Sequence, residues 1–329
     1  MTYLYVLQHI LAPLLLFRGR WAFLCYALVS LLLSGLIVLF SPPGIDIPAY
    51  VREAGSSGWE PLYRLFMSLG LATGLDPREV VGVFQGFVLL LASLLVFFYT
   101  RQRLLILAVI LSSVAVMLAF NNALRQGAAS LFLAYAVLFL IRGGYLKVIA
   151  CCVLAFGFHA SSAVFALLIV GVWILFECIP EFRRVANELF LLLPFLVIGT
   201  FLLPELLSVA GYSAYLDMDL SAFENRTGLL EKASLLFLIV CAGELMLRGR
   251  SISREADFLR ILRATFVFVP LFFAATNGFQ ELGSRILFFY YFIEVMFLGA
   301  LIERGYINTG VVIIVAHAFA FNVWNMIGM

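Results

Sequence analysis

Long apolar runs separated by short polar breaks dominate the chain. They predict transmembrane helices, because crossing the hydrocarbon core of a bilayer takes about 20 apolar residues. A run at 3–17 is either a short first span or an interfacial helix. We therefore predict about twelve spans, with ten or eleven as alternatives. Besides the run at 3–17, the spans lie at roughly 21–40, 80–99, 104–120, 123–141, 146–158, 160–177, 188–207, 231–247, 256–275, 284–302 and 308–326.

Two segments that are too short for ordinary membrane spans carry polar residues. The run at 146–158 is short for a span, and with 160–177 it predicts a tight hairpin with His159 at its tip. Residues 60–74 predict a short helix that starts at Pro61 and does not cross the membrane. Proline suits that position because the N–H it lacks has no helical partner there.

Composition supports a membrane protein. The 329 residues are 64% hydrophobic and 12% charged, with a mean hydropathy of +1.09, whereas soluble domains are nearer 45–50% apolar and about 25% charged. We predict an all-α polytopic integral membrane protein with one membrane-embedded domain, 1–329, and neither a soluble domain nor a signal peptide. The net charge of +2 does not indicate nucleic-acid binding. All five cysteines fall in or beside apolar runs and are expected to be small buried hydrophobic residues.

The distribution of positive charge predicts the orientation. Fourteen of the 21 Lys and Arg residues lie in one set of loops, which the positive-inside rule places in the cytoplasm. The outward side then holds two long polar loops, about 41–79 and 208–230, and a shorter one at 276–285. Glu244 and Glu294 lie within spans near their inner halves, where cytoplasmic Arg residues are available as partners.

Arg125 and His159 are the main candidates for a polar site. A charge within a membrane span costs several kcal/mol unless it faces protein, water or a counter-ion. Asn122 and Gln126 give Arg125 polar neighbours, so we expect a guanidinium that holds phosphate oxygens. The alternative is an Arg that reaches the lipid headgroups. His159 is either a base near a hydroxyl or an interfacial histidine bonded between helices.

Further candidates lie in the outward segments. Asp46 and Tyr50 share a face if their segment is helical. Glu60, at the start of the short helix with Tyr63, either serves the site or only complements the helix dipole. Several outward arginines together favour an anionic ligand that approaches from the outer leaflet. The outward candidates downstream are Arg226, Glu281 and Arg285.

The order of these motifs resembles the EpsG-like branch of Wzy-type polysaccharide polymerases. The resemblance covers about 20–300. It rests on D-x-x-x-Y from Asp46, E-P-L-Y from Glu60, L-R-Q around Arg125, F-H-x-S-S-A around His159 and R-x-x-x-x-Y from Arg285.

This resemblance implies a GT-C-like, metal-independent, inverting glycosyltransferase that needs no cofactor. Such enzymes work at the outer face of the bacterial inner membrane. They transfer a growing glycan from a polyprenyl diphosphate onto another lipid-linked repeat unit of an O-antigen, capsule or exopolysaccharide. Arg125 and Arg285 would bind the diphosphate, and His159, Glu60 or Asp46 would serve as base. Tyr50 and Tyr63 would shape the sugar site, and Arg226 would close over the substrate. The expected partners are the lipid-linked oligosaccharide, membrane lipids and a chain-length regulator protein.

Two other functions fit an outward polar site. A flippase of lipid-linked oligosaccharide predicts cations through the bundle midplane and internal symmetry, and the sequence shows neither. A membrane acyltransferase that modifies surface sugars would need a histidine paired with a carboxylate or arginine on its donor side. The chain offers only His9, His159 and His317.

Overall fold

A computed structural model of the protein describes residues 46–54, 58–100, 123–184 and 253–275, with single positions within 21–32 and 289–300. These residues form helices and, within the described part, no strands. The described helices are α1 (Asp46–Arg52), α2 (Pro61–Ala72), α3 (Pro77–Tyr99), α4 (Leu124–Ile141), α5 (Tyr145–Phe158), α6 (Ser162–Cys178), α7 (Pro180–Arg184) and α8 (Arg254–Ala275).

The all-α prediction is confirmed for these residues. Two described helices, α3 and α4, are long and apolar enough to cross a membrane. The runs at 3–17, 104–120, 188–207, 231–247 and 308–326 and the loop at 208–230 lie outside the described residues. The count of about twelve spans therefore stays a prediction.

A sharp corner joins the short helix α2 to the long helix α3. Gly74 follows α2 with φ +85°, a left-handed conformation that glycine adopts without steric cost. Asp76 then caps α3, because its carboxylate accepts hydrogen bonds from the backbone N–H groups of Arg78 and Glu79 at 2.8 and 2.9 Å. The Glu79 carboxylate accepts the N–H of Asp76 in return. This capping box starts α3 at Pro77, three residues before the predicted span.

Helix α4 is the core of the described part and is buried on nearly every side. It lies parallel to α3: the Tyr135 hydroxyl donates to the Leu91 carbonyl at 2.9 Å, and Arg142 donates to the Phe98 carbonyl at 3.0 Å. Both bonds join two helices far apart in sequence. The start of α4, which carries Arg125, is thereby held at the same end of the bundle as the start of α3.

The predicted hairpin with His159 at its tip is confirmed. Helix α4 ends in a Schellman motif, in which Gly143 has φ +74° and the Gly144 N–H donates to the Phe139 carbonyl at 2.8 Å. Helix α5 then returns beside α4 and has 14 residues, a rise of about 21 Å. Only 159–161 separate it from α6, so His159 lies at the same end of the bundle as Arg125.

Helix α8 packs against α6, with Phe165 stacked on Phe266 at 5.6 Å between ring centroids. Deep in this packing, Arg263 and Glu294 form an ion pair at 2.8 Å with exposures of 1% and 2%. The expected partnership of Glu294 with an arginine of the cytoplasmic set is confirmed. Glu244 lies outside the described residues.

The two ends of the bundle differ in their side chains. One end, which we name the site end, carries Glu60, Arg125 and the α5–α6 turn. The opposite end carries members of the predicted cytoplasmic set, namely Arg142, Lys147, Arg183 and Arg254. The expectation that the cysteines are buried is met by Cys151, but Cys25 and Cys178 are exposed.

Candidate functional site

Glu60 and Arg125 form an ion pair at the site end. Glu60 precedes Pro61, which favours an extended backbone, and it has φ −58° and ψ 149° without capping α2 by its side chain. Its carboxylate is therefore available to Arg125, in the first turn of α4. The side chains are 15% and 19% exposed, so each charge is largely shielded from water and depends on the other.

The same carboxylate also faces the α5–α6 turn. Its Oε1 atom lies 3.6 Å from Nδ1 of His159 and 3.5 Å from the backbone nitrogen of Ala160, which donates to it. The His159 side chain is 8% exposed, and the Ser161 hydroxyl lies 3.2 Å from the same Nδ1 atom. Glu60 thus connects the two residues that the sequence singled out, Arg125 and His159.

Three aromatic rings surround the guanidinium of Arg125. We name Tyr50, Trp59 and Tyr63 the aromatic cage. The Arg125 Cζ atom lies 4.1 Å from the ring centroid of Trp59, 5.6 Å from that of Tyr50 and 5.8 Å from that of Tyr63. The three rings also touch each other, with centroids 5.5–5.8 Å apart. Each cation–π contact stabilises the guanidinium by about 0.5–2 kcal/mol, so the cage fixes its orientation.

Burial raises the pKa of Tyr50 and of Tyr63. For Tyr50, Arg125 opposes the rise, while Asp46 and Glu60 add to it. Both phenols are therefore protonated at neutral pH, and they suit hydrogen bonding to a sugar rather than proton abstraction. Asp46 begins α1, one helical turn before Tyr50. The segment is helical, so the condition under which Asp46 and Tyr50 share a face is met.

Two buried polar atoms in the cage lack a hydrogen-bond partner among the described residues. They are Nε of Arg125 and the hydroxyl oxygen of Tyr63. A buried polar group without a partner costs roughly 1–3 kcal/mol, so its retention in a native site calls for an explanation. Donors of this kind, next to a shielded cation, suit an oxygen-rich ligand.

Helices α2 and α5 approach each other closely beside Glu60 and His159. At Gly157, near the end of α5, an added Cβ would lie 2.5 Å from Cδ1 of Leu62 in α2. A larger residue at this position would require the Leu62 side chain or α2 itself to shift. Leu62 is two residues after Glu60, and Gly157 is two residues before His159. The contact therefore lies beside both the carboxylate and the imidazole.

The structure brings together six of the residues predicted for the site. Gln126, next to Arg125, is buried in the helical core and is not among them. Asn122, Arg226, Glu281 and Arg285 lie outside the described residues. Among the described residues no group of three or more His, Cys, Asp or Glu side chains is placed to hold a metal ion. The residues brought together are Asp46, Tyr50, Glu60, Tyr63, Arg125 and His159.

Sequence reasoning missed three components of the site. Trp59 is the ring nearest to the Arg125 guanidinium, and its place directly before Glu60 was the available signal. The Ala160 N–H donates to Glu60, but backbone donors leave no trace in residue type. Gly157 precedes the F-H motif, and its role depends on a helix that lies about 95 residues earlier in the chain.

Comparison with known proteins identifies the family of the chain. A family model described as the EpsG family matches residues 23–329, which include every described residue of the site. The search of curated proteins and the search of solved structures both returned no match. The chain belongs to the EpsG family, the family of exopolysaccharide and Wzy-like polymerases, and is a membrane protein of polysaccharide biosynthesis.

Proposed function

We propose that this protein is a polysaccharide polymerase of the inverting, metal-independent type. It transfers a growing glycan from a polyprenyl diphosphate onto another lipid-linked oligosaccharide repeat unit. The reaction takes place at the outer face of the bacterial inner membrane. Family membership supports the pathway, and the site geometry supports the chemistry.

The observation that carries the proposal is the shielded guanidinium of Arg125. It is held by the aromatic cage beside Glu60, and its buried Nε lacks a partner among the described residues. A diphosphate leaving group gains negative charge in the transition state, and a fixed cation in a shielded site stabilises that charge without a metal. Arg suits phosphate oxygens because its planar fork donates two parallel hydrogen bonds.

The transfer step needs a base as well as a cation. A hydroxyl oxygen of the acceptor repeat unit attacks the anomeric carbon of the donor glycan. The bond from that carbon to the phosphate oxygen breaks, and polyprenyl diphosphate leaves with the bonding electron pair. The hydroxyl proton passes to the base, for which we assign His159 with the Glu60 carboxylate beside it. Asp46 stays a second candidate for this role.

The remaining residues have supporting roles in the proposal. The rings of Tyr50, Trp59 and Tyr63 offer faces for stacking against a sugar, and the protonated phenols offer hydrogen bonds. Arg285 supplies a second cation for the diphosphate, and Arg226 closes over the substrate. Asn122 and Glu281 add polar contacts. A separate chain-length regulator protein would set the length of the product.

Surface glycan from cells that carry single variants tests the proposal. Arg125→Ala and His159→Ala should abolish the high-molecular-weight ladder on a gel and leave material of a single repeat unit. Arg78→Ala is the matched control, because Arg78 is exposed at the same end of the bundle, and it should give a normal ladder.

Two results would contradict this function. Loss of all exported glycan in Arg125→Ala, single repeat units included, would indicate a flippase. A normal ladder in both Arg125→Ala and His159→Ala would remove these residues from the reaction.

A further inference from the structure

The anion position at Arg125 is already taken by a side chain of the protein itself. The Glu60 carboxylate pairs with one terminal nitrogen of the guanidinium, and Trp59 covers a face of it at 4.1 Å. A diphosphate that binds Arg125 must therefore displace Glu60 or share the guanidinium with it. Two anions on one shielded cation repel each other strongly at this depth, so displacement is favoured.

A second position for the same carboxylate already exists beside it. Oε1 of Glu60 lies 3.6 Å from Nδ1 of His159 and 3.5 Å from the Ala160 nitrogen. Both distances exceed the 2.7–3.2 Å or so of a full hydrogen bond, so these contacts are only partly formed while Glu60 is paired with Arg125. Arg125 is bound by the other oxygen, Oε2, so Oε1 is free to close on His159 and Ala160 when the carboxylate leaves Arg125.

We propose that Glu60 is exchanged between these two positions. The lipid diphosphate takes over Arg125, and the released carboxylate moves onto His159 Nδ1 and the Ala160 N–H. A carboxylate at Nδ1 favours the tautomer that carries its proton there, which leaves Nε2 basic. Glu60 is thus a positioning residue that prepares the base only after the donor has bound. This inference rests on the diphosphate site of the proposed function.

The exchange has a consequence that a purely structural role for Glu60 would not have. Removing the charge of Glu60 should strengthen binding of the anion, because a neutral amide competes less well for the guanidinium. A hydrogen bond from a guanidinium to a carboxylate is stronger than one to a neutral amide. We expect Glu60→Gln to lower the Kd of a diphosphate about tenfold and to abolish the polymer ladder at the same time.

Binding to the purified full-length protein in detergent tests this directly. The probes are farnesyl diphosphate and inorganic pyrophosphate, measured by calorimetry for wild type, Glu60→Gln, Glu60→Ala, Arg125→Leu and Glu53→Gln. Glu53→Gln is the matched control, because Glu53 is exposed seven residues before Glu60, and its Kd should equal that of wild type. Thermal unfolding of each variant verifies that it is folded.

The outcomes separate this inference from the function on which it rests. A lower Kd in both Glu60 variants supports exchange. If the Kd falls for farnesyl diphosphate but not for pyrophosphate, a lipid-linked diphosphate is supported as the ligand. If the Kd falls only for pyrophosphate, the lipid donor does not displace Glu60 and the inference is wrong. If Arg125→Leu weakens binding but neither Glu60 variant tightens it, exchange is wrong and the diphosphate site stands. If Arg125→Leu leaves both affinities unchanged, the proposed diphosphate site itself is wrong.

Discussion

Tyr63 shows how one residue of the site can trade stability for binding. Its ring packs on Phe84 at 5.1 Å and closes one side of the aromatic cage. Its hydroxyl is buried without a hydrogen-bond partner among the described residues. A phenylalanine would keep the packing and remove the unpaired hydroxyl, so selection for stability alone does not explain a tyrosine here.

We therefore expect Tyr63→Phe to separate stability from activity. Its free energy of unfolding should equal that of wild type or exceed it by up to about 1 kcal/mol, while polymerisation falls about tenfold through loss of one hydrogen bond to substrate. Tyr135→Phe is the control, because the Tyr135 hydroxyl donates to the Leu91 carbonyl far from the site. It should lower stability by about 1 kcal/mol with normal polymer. Thermal unfolding in detergent measures the stability of each variant, and glycan gels measure its polymer. Unchanged polymer in Tyr63→Phe would contradict the substrate contact.

At the scale of helices, the sequence predicted most of what positions the site. Periodicity and length placed α3 to α6 and α8 within a few residues, and Pro61 correctly marked the start of α2. The pairing of Glu60 with Arg125 was not predictable, since 65 residues separate them and no local pattern encodes which helix ends meet. The close approach of α5 to α2 at Gly157 is likewise visible only in three-dimensional contacts.

Gly157→Ala tests this helix contact. The new methyl group would meet Leu62 Cδ1 at 2.5 Å, Cγ at 2.6 Å and Cβ at 3.3 Å. Because both Cγ and Cβ of Leu62 are crowded, we expect the overlap to displace α2 as well as the leucine side chain. We expect α2 to shift, Glu60 to move away from His159, and the polymer ladder to shorten or disappear. The double variant with Leu62→Ala should restore polymer.

The control for this prediction is Gly171→Ala in α6. An added Cβ at Gly171 meets no atom within 4 Å, so alanine should stabilise that helix by about 0.5–1 kcal/mol and leave the polymer normal. If Gly157→Ala also gives a normal ladder, the register between α2 and α5 does not control the site.

On the scale of the whole molecule, described cations of the predicted cytoplasmic set lie together at one end of the bundle. The exposed cations Arg142, Lys147 and Arg183 lie at the end opposite the site. The charges in between are paired, as Arg263 is with Glu294, because an unpaired charge at that depth costs several kcal/mol. The distribution of Lys and Arg between the loops predicted this polarity, whereas the identity of the internal pairs required the structure.

This polarity predicts which face of the membrane the site end occupies. In a cysteine-free background, Arg78→Cys places a thiol at the site end, and Lys147→Cys places one at the opposite end, both at exposed positions. The positive-inside rule puts Lys147 in the cytoplasm. In intact cells whose outer barrier admits the reagent, a membrane-impermeant maleimide should therefore label Arg78→Cys and spare Lys147→Cys. Lysis should make both react equally. The reverse pattern would turn the site toward the cytoplasm, where an acceptor displayed on the outer leaflet cannot reach Arg125, and would rule out polymerisation at the outer face.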